Sequence, residues 1–252
     1  MADEVLTAAR TLITPGQVVE VRAITDDGIA SGYFDSPEEL AAKVATLDGV
    51  PSVQGVYVTL NPVNPALLSR RSNRIKMRLG KKDVTTADSD IVKRQWLPVD
   101  VDPVRPSGVS STEAEHAAAI AKAQRIAEYL TGMGWPAPVL ADSGNGAHLL
   151  YRIDLSNDNE SRDLVKGCLD VLASVFNDAV AQVDTANYNA ARIWKLYGTM
   201  SRKGDSTADR PHRRAAIIEA PTKPGVVDRP MLTRLAGVLP EIPAAPAAVR
   251  PV

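Results

Sequence analysis

Residues 18–24 (VVEVRAI) alternate between apolar and polar and are rich in β-branched side chains, the pattern of a half-buried strand. SGYF at 31–34 predicts a second short strand, with a hairpin across TDDG between the two. Ser36 and Glu39 stand at capping-box spacing before a short helix that runs to about Leu47. VQGVYVTLN (53–61) predicts another strand, and the prolines of NPVNP (61–65) end it. The stretch 69–82 has no such period and predicts a loop or short helix.

RQWLPVDVD (94–102) reads as a buried strand that Pro103 and Pro106 stop. Ser110 with Glu113, or Thr112 with Glu115, can cap the next helix. Its Ala119, Ala123, Ile126, Ala127 and Leu130 recur at helical spacing, and Gly132 and Gly134 close it. Residues 138–141 and 147–153 predict strands joined by DSGNG. A helix over about 160–181 is expected to bury Leu164, Cys168, Leu172, Val175, Phe176 and Ala179. Residues 187–197 predict a short helix, and RRAAIIEA (213–220) a final strand. The mixture predicts an α/β (α+β) chain with two lobes, about 1–95 and 96–238. The Pro/Ala-rich stretch 239–252 is expected to be a linker or tail, as at the edge of a domain cut from a longer protein.

Composition narrows this little. The chain has 252 residues, 44% of them hydrophobic, which suits one large domain or two lobes. No apolar run is long enough to cross a bilayer, and MADEVLTAAR is not a signal segment, so no membrane partner is expected. The single cysteine, Cys168, excludes an internal disulfide and a Cys-rich zinc site, and it points to a reducing compartment.

Charge changes the picture more. The net charge is −1, yet residues 69–82 carry seven basic residues and no acid, and 192–214 carry seven against Asp205 and Asp209. One such block is ordinarily a solvated face. Two that bracket a carboxylate site point to a polyanion. Arg70, Arg71, Arg74 and Lys76 are the candidate DNA contacts.

The carboxylate site begins with Asp100 and Asp102, two apart on a strand and therefore on one face. A divalent cation would relieve their repulsion. Alone, the pair reads as two exposed aspartates at a strand end. In DSGNGAH, Gly144 and Gly146 allow a sharp turn, its N–H groups can form an anion nest, and Ser143 and Asn145 add polar side chains. His148 follows, placed to reach a phosphate, although the string also fits an ordinary glycine hairpin. Asp184 supplies a third carboxylate, or else a turn cap. Arg192 and Lys195 would share a helix face and neutralise a triphosphate, with Arg202 a weaker candidate.

This ordered set resembles the archaeo-eukaryotic primase superfamily, specifically the primase-polymerase domains of phage and plasmid replication proteins. That pattern is D-h-D, s-x-H and h-D, with h apolar and s small. Here it reads Asp100-Val101-Asp102, Ser143 through His148, and Val183-Asp184, within roughly residues 18–220. The resemblance implies an N-terminal α/β module, a module like an RNA-recognition motif, and a site in the cleft between them. It implies Mg²⁺ or Mn²⁺ on the three aspartates, in a two-metal site. Ser143, Asn145, His148, Arg192, Lys195 and Arg202 would serve the incoming dNTP or NTP, and the segment 69–82 a single-stranded or primed DNA template. It implies a bacterial cytoplasm as the place of work and a helicase domain beyond the C-terminal tail. The expected activity is template-dependent nucleotidyl transfer, as a DNA primase and polymerase. A noncatalytic nucleic-acid-binding replication module and a metal-dependent nuclease are the competing readings.

Overall fold

The alternating segment near residue 20 forms β1 (Val19–Thr25), which turns through Asp26 and Asp27 into β2 (Gly28–Phe34). Ser36 caps α2 (Pro37–Asp48) by accepting from the Glu39 amide at 3.2 Å. β3 (Val53–Thr59) returns antiparallel to β1. An N-terminal helix, α1 (Ala2–Leu12), precedes them and was not expected. Its signal is present in the sequence: Val5, Ala8, Ala9 and Leu12 recur at helical spacing, and all four are buried. The computed structural model describes residues 2–238, so the expected linker over 239–252 lies outside the described residues.

The second half opens with β4 (Lys93–Pro103) and α3 (Glu113–Gly132). Thr112 and Glu115 form the capping box of α3 reciprocally, at 3.2 and 2.9 Å. β5 (Val139–Asp142), β6 (Ala147–Ser156), α4 (Asn159–Phe176) and β7 (Ala181–Val183) follow. α4 is shorter than expected, and Val175 and Ala179 are exposed, not buried. Asn177 and Asp178 end it, because their carboxamide and carboxylate oxygens accept from the amides of Val183, Val180 and Ala181. Asp184 therefore follows a strand, not a helix.

The expected helix over 187–197 is also overturned. Its core is a strand, β8 (Ile193–Lys195), paired antiparallel to β3 through Tyr57, Val58 and Thr59. The expected strand over 213–220 divides into β10 (Arg213–Arg214), which pairs with β9 (Met200–Ser201), and β11 (Ala216–Glu219). A last helix, α5 (Arg229–Ala236), packs on α4.

Beside the β9–β10 pair, two larger antiparallel sheets result, in the orders β2-β1-β3-β8 and β11-β5-β6-β4-β7. β4, α3, β5, β6, α4 and β7 run as βαββαβ, with the four strands ordered β7-β4-β6-β5 in space. One face of β4 sends Leu97, Val99 and Val101 into a core with α3, α4 and α5. Each is fully buried, worth about 1.5–3 kcal/mol relative to exposure. The opposite face begins apolar, and Trp96, Val139, Ala141 and Leu150 join a core shared with α1, α2 and the first sheet. Farther along that face β4 turns polar, at Asp100 and Asp102. The change from apolar to acidic along one strand marks where the two sheets part.

Candidate active-site cleft

The parting forms a cleft of about 910 Å³, within the range of small-ligand pockets. Asp100, Asp102 and Asp184 all line it. The register fixes their neighbourhood. Asp100 lies directly opposite His148 on β6, and the Asp184 amide donates to the Asp100 carbonyl at 2.9 Å. The alternation expected for β4 thus puts both its carboxylates in the cleft.

Each carboxylate already has an internal partner. His148 Nε2 stands 3.4 Å from Asp100 Oδ1. Arg105 Nη1 donates to Asp102 Oδ1 at 3.2 Å. Asp184 accepts from the Ala186 amide at 2.8 Å and from Asn187 Nδ2 at 3.1 Å. The donors are hard oxygens, as Mg²⁺ or Mn²⁺ requires. Among the described residues, though, no three His, Cys, Asp or Glu side chains converge on one point in a metal-ligating arrangement. Asp100 and Asp102 share one face of β4, while Asp184 is held in its own turn. The Asp102 carboxyl is pushed above the usual carboxylate range by desolvation and by the Asp100 charge, with Arg105 opposing.

His148 is not a surface histidine. It is 4% exposed, stacks on Trp194 with ring centroids 4.1 Å apart, and meets the Tyr197 hydroxyl at Nδ1 at 3.0 Å. Trp194 Nε1 donates to the same hydroxyl at 2.9 Å. One tautomer satisfies every contact: Tyr197 donates its proton to Nδ1, and Nε2–H faces the Asp100 carboxylate. The other tautomer would aim a lone pair at a carboxylate and leave the Tyr197 proton without an acceptor. Burial pushes the Tyr197 phenol well up, which keeps it a neutral donor.

The glycine turn differs from expectation. Gly144 takes φ +90°, so the sharp turn is real. Its N–H groups, however, do not form an open nest. Ser143 N donates to the Gly146 carbonyl, Gly144 N to Asp142 Oδ1, and both Asn145 N and Gly146 N to Ser143 Oγ. The Asn145 side chain is 6% exposed, and it ties the turn to the Ser111 amide and the Ser201 hydroxyl. Ser143 and Asn145 line the cleft but spend their hydrogen bonds on holding the turn. His116 on α3 adds a 2.9 Å contact to Asp142, the residue that accepts from Gly144.

The cationic side chains of the cleft remain the groups with charge to offer an anion. Arg192 and Lys195 line it, but from a strand and its lead-in rather than from one helix face. Arg192 donates to the Ala186 carbonyl, and its Nε is buried without a partner. Lys195 donates to the Met200 carbonyl at 2.6 Å and sits 5.5 Å from the centre of the Tyr57 ring. Its pKa falls from 10.5 to about 7, mainly through burial, with Arg202 and Arg214 adding and Asp48 opposing. Arg202 also lines the cleft, while it grips the fully buried Asp48 at 3.0 Å and the Asp48 carbonyl at 2.8 Å.

Lys195 is protonated in the unfolded chain up to about pH 10.5 but loses its proton near pH 7 when folded. The unfolded state binds more protons between those values, so this group makes stability rise with pH there. Lys195→Met should therefore raise the melting temperature more at pH 6 than at pH 9. Equal gains at both, or a loss at pH 6, would mean that Lys195 does not carry a buried charge.

The basic segment lies away from the cleft. It runs along the outer edge of β2, where Ser31 and Lys76 exchange backbone hydrogen bonds and the Tyr33 amide donates to the Arg71 carbonyl. Three strand spacings, about 14 Å, separate β2 from β8. Arg70, Arg74 and Lys76 are exposed. Arg71 is turned inward: it is 4% exposed, bonds Ser31 Oγ and the Val84 carbonyl, and faces Glu20 at 3.8 Å. Glu20 is fully buried, and Arg22 is its nearest cation, donating to Oε2 at 2.7 and 2.9 Å.

Arg105, Asn187, Trp194 and Tyr197 were not singled out from sequence. Asn187 had a local signal, three residues after Asp184 at turn spacing. Trp194 and Tyr197 enter through the pairing of β8 with β3, Arg105 stands three residues after Asp102, and none of the three carries a motif. Among the described residues, no helix is long and apolar enough to cross a membrane.

No family model and no curated protein matches this sequence. Among solved structures, it is similar to the crystal structure of primase RepB′, at 13% identity and a TM-score of 0.48, over 93% of this chain. The match spans 61% of that primase's length.

Proposed function

We propose that the chain is a template-dependent nucleotidyl transferase, a DNA primase and polymerase, working in phage or plasmid replication in the bacterial cytoplasm. One observation carries the reading: a single cleft gathers Asp100, Asp102 and Asp184 with His148, Arg192 and Lys195. Carboxylates and cations in one small space suit a metal-bound triphosphate, where the metal and the cations share its negative charge. The βαββαβ order of the second sheet supports the reading, because ferredoxin-like and RNA-recognition-motif modules share it.

Asp100 and Asp102 would hold Mg²⁺ or Mn²⁺, with Asp184 turning to complete a two-metal site. Bound there, the metal would stabilise charge on the transferring phosphoryl group. His148, with Nε2–H held toward the cleft, would donate to a phosphate oxygen. Lys195 and Arg192 would neutralise the triphosphate, and Lys195 would take up a proton as the anion binds above pH 7. The nucleophile is the primer 3′-hydroxyl, so no protein nucleophile is required. Within a longer chain, a helicase domain would be the natural partner.

The test is the fate of a primed template given dNTPs and Mn²⁺. Lengthening of the primer supports the proposal. Shortening would make the chain a nuclease. An unchanged primer that still binds would favour a noncatalytic replication module, the reading that fits carboxylates already partnered within the chain.

Arg70, Arg74 and Lys76 would hold template phosphates at the β2 edge. Neutralising the three together should lower the slope of log K against log salt by about 0.7–0.9 for each lost contact. A DNA-binding titration at several salt concentrations checks this. An unchanged slope would mean that the template runs elsewhere.

A further inference from the structure

We infer that Arg105 is a built-in counter-ion for the metal seat, one whose charge an incoming cation must work against. The inference rests on the metal-binding reading of the cleft. Arg105 lies in the loop between β4 and α3 and lines the same cleft as the aspartates. Its Nη1 donates to Asp102 Oδ1 at 3.2 Å and to the Pro103 carbonyl at 3.4 Å, while Nε donates to the Val109 carbonyl at 3.2 Å. The backbone carbonyls hold the guanidinium in place, and the carboxylate receives its charge.

Two aspartates at neighbouring same-face positions repel, and metal-free protein must bear that repulsion. Arg105 relieves it on the Asp102 side, as the His148 Nε2 does on the Asp100 side. The charges near this pair are Asp100, Lys203 and Glu115, the last bound bidentately by Arg210. Asp102 is thus served by a nearby cation that no metal-ligand pattern includes. This accounts for the lack of a converged carboxylate trio among the described residues: one ligand is turned to an arginine and another to its own turn.

A guanidinium on one oxygen of a carboxylate leaves the other oxygen open to a divalent cation, but the two positive charges then repel at close range. Metal binding must therefore work against the Arg105 charge and weaken the Arg105–Asp102 bond. Removing Arg105 removes that charge and leaves the seat more negative. In the absence of nucleotide, Arg105→Gln should bind Mn²⁺ more tightly, by about tenfold, or about 1.4 kcal/mol. Arg105→Lys keeps the charge but not the fork and should gain less.

The experiment measures Mn²⁺ affinity by titration calorimetry on folded wild type, Arg105→Gln, Arg105→Lys and Asp102→Asn, without nucleotide or DNA. Tighter binding by Arg105→Gln, a smaller gain by Arg105→Lys and loss of binding in Asp102→Asn is the expected set. If Asp102→Asn loses Mn²⁺ while Arg105→Gln binds as wild type or more weakly, the counter-ion inference fails and the metal reading stands. If Asp102→Asn keeps wild-type affinity, the metal reading itself fails. A drop in melting temperature for metal-free Arg105→Gln, restored by Mn²⁺, would be the independent sign that the arginine and the metal do the same job.

Discussion

Asp102→Asn should lower nucleotide incorporation by on the order of 10²–10³-fold or more, with the melting temperature close to wild type. The change is isosteric, and Asp102 sits at the cleft surface rather than in either apolar core. It removes one negative charge where the proposed metal must be held, so the charge developing on the transferred phosphoryl group loses its stabiliser. Asp100→Asn should act similarly, with an added disturbance of His148, whose Nε2–H faces that carboxylate. Asp184→Asn should be as damaging only if Asp184 leaves its turn to bind metal. A steady-state primer-extension assay beside a thermal melt checks all three. Folded Asp100 and Asp102 variants with near-wild-type rates would remove the metal assignment.

Gly146→Ala should be the most damaging single methyl in the site, costing about 2–4 kcal/mol of stability and most of the activity. An added Cβ would stand 2.3 Å from the Val101 carbonyl oxygen and 3.3 Å from the Asp102 Cα. Backbone cannot step aside as a flexible side chain can. The start of β6 would be pushed from β4 at the point where Asp100 and His148 face each other. The glycine turn and the D-x-D strand are thus one packed unit, although 44 residues of chain separate Asp102 from Gly146. Denaturant unfolding of the variant would show the loss. A shift below about 0.5 kcal/mol would mean that the two strands separate without cost.

What the sequence made legible was local. The alternation in β1 and β4, the Ser36 and Thr112 caps, and the glycine turn before His148 all follow from nearest neighbours along the chain. Some failures come from tertiary context and others from local side-chain bonds. Ala190, Ala191 and Arg192 favour a helix, yet Ile193, Trp194 and Lys195 form a strand because β3 offers an open edge. Pairing there sends Trp194 into the core, where it stacks on His148, and Lys195 to the opposite face over Tyr57. α4 stops early because Asn177 and Asp178 hydrogen-bond forward, which the apolar stripe could not foretell.

The site was legible in part for the same reason. The aspartates and His148 were found because a strand period and a motif order point to them, and all four line one cleft. That Arg71 is turned inward could not be read, because a basic run looks alike whether its members are solvated or buried. Arg202 lines the cleft while it also holds Asp48, a fully buried acid far away in sequence. Trp194 and Tyr197 were invisible because their contacts with His148 exist only once β6 and β8 come together, and Arg105, three residues after Asp102, carries no motif. The anion nest failed because Ser143 Oγ and Asp142 consume the very N–H groups that would have formed it.

The most direct test is a crystal of the protein soaked with Mn²⁺ and a non-hydrolysable deoxynucleoside triphosphate, read by anomalous scattering at the manganese edge. An anomalous peak is expected between the Asp100 and Asp102 carboxylates. The triphosphate should lie against His148, Arg192 and Lys195. Manganese and nucleotide bound anywhere outside this cleft would contradict the metal and nucleotide assignment.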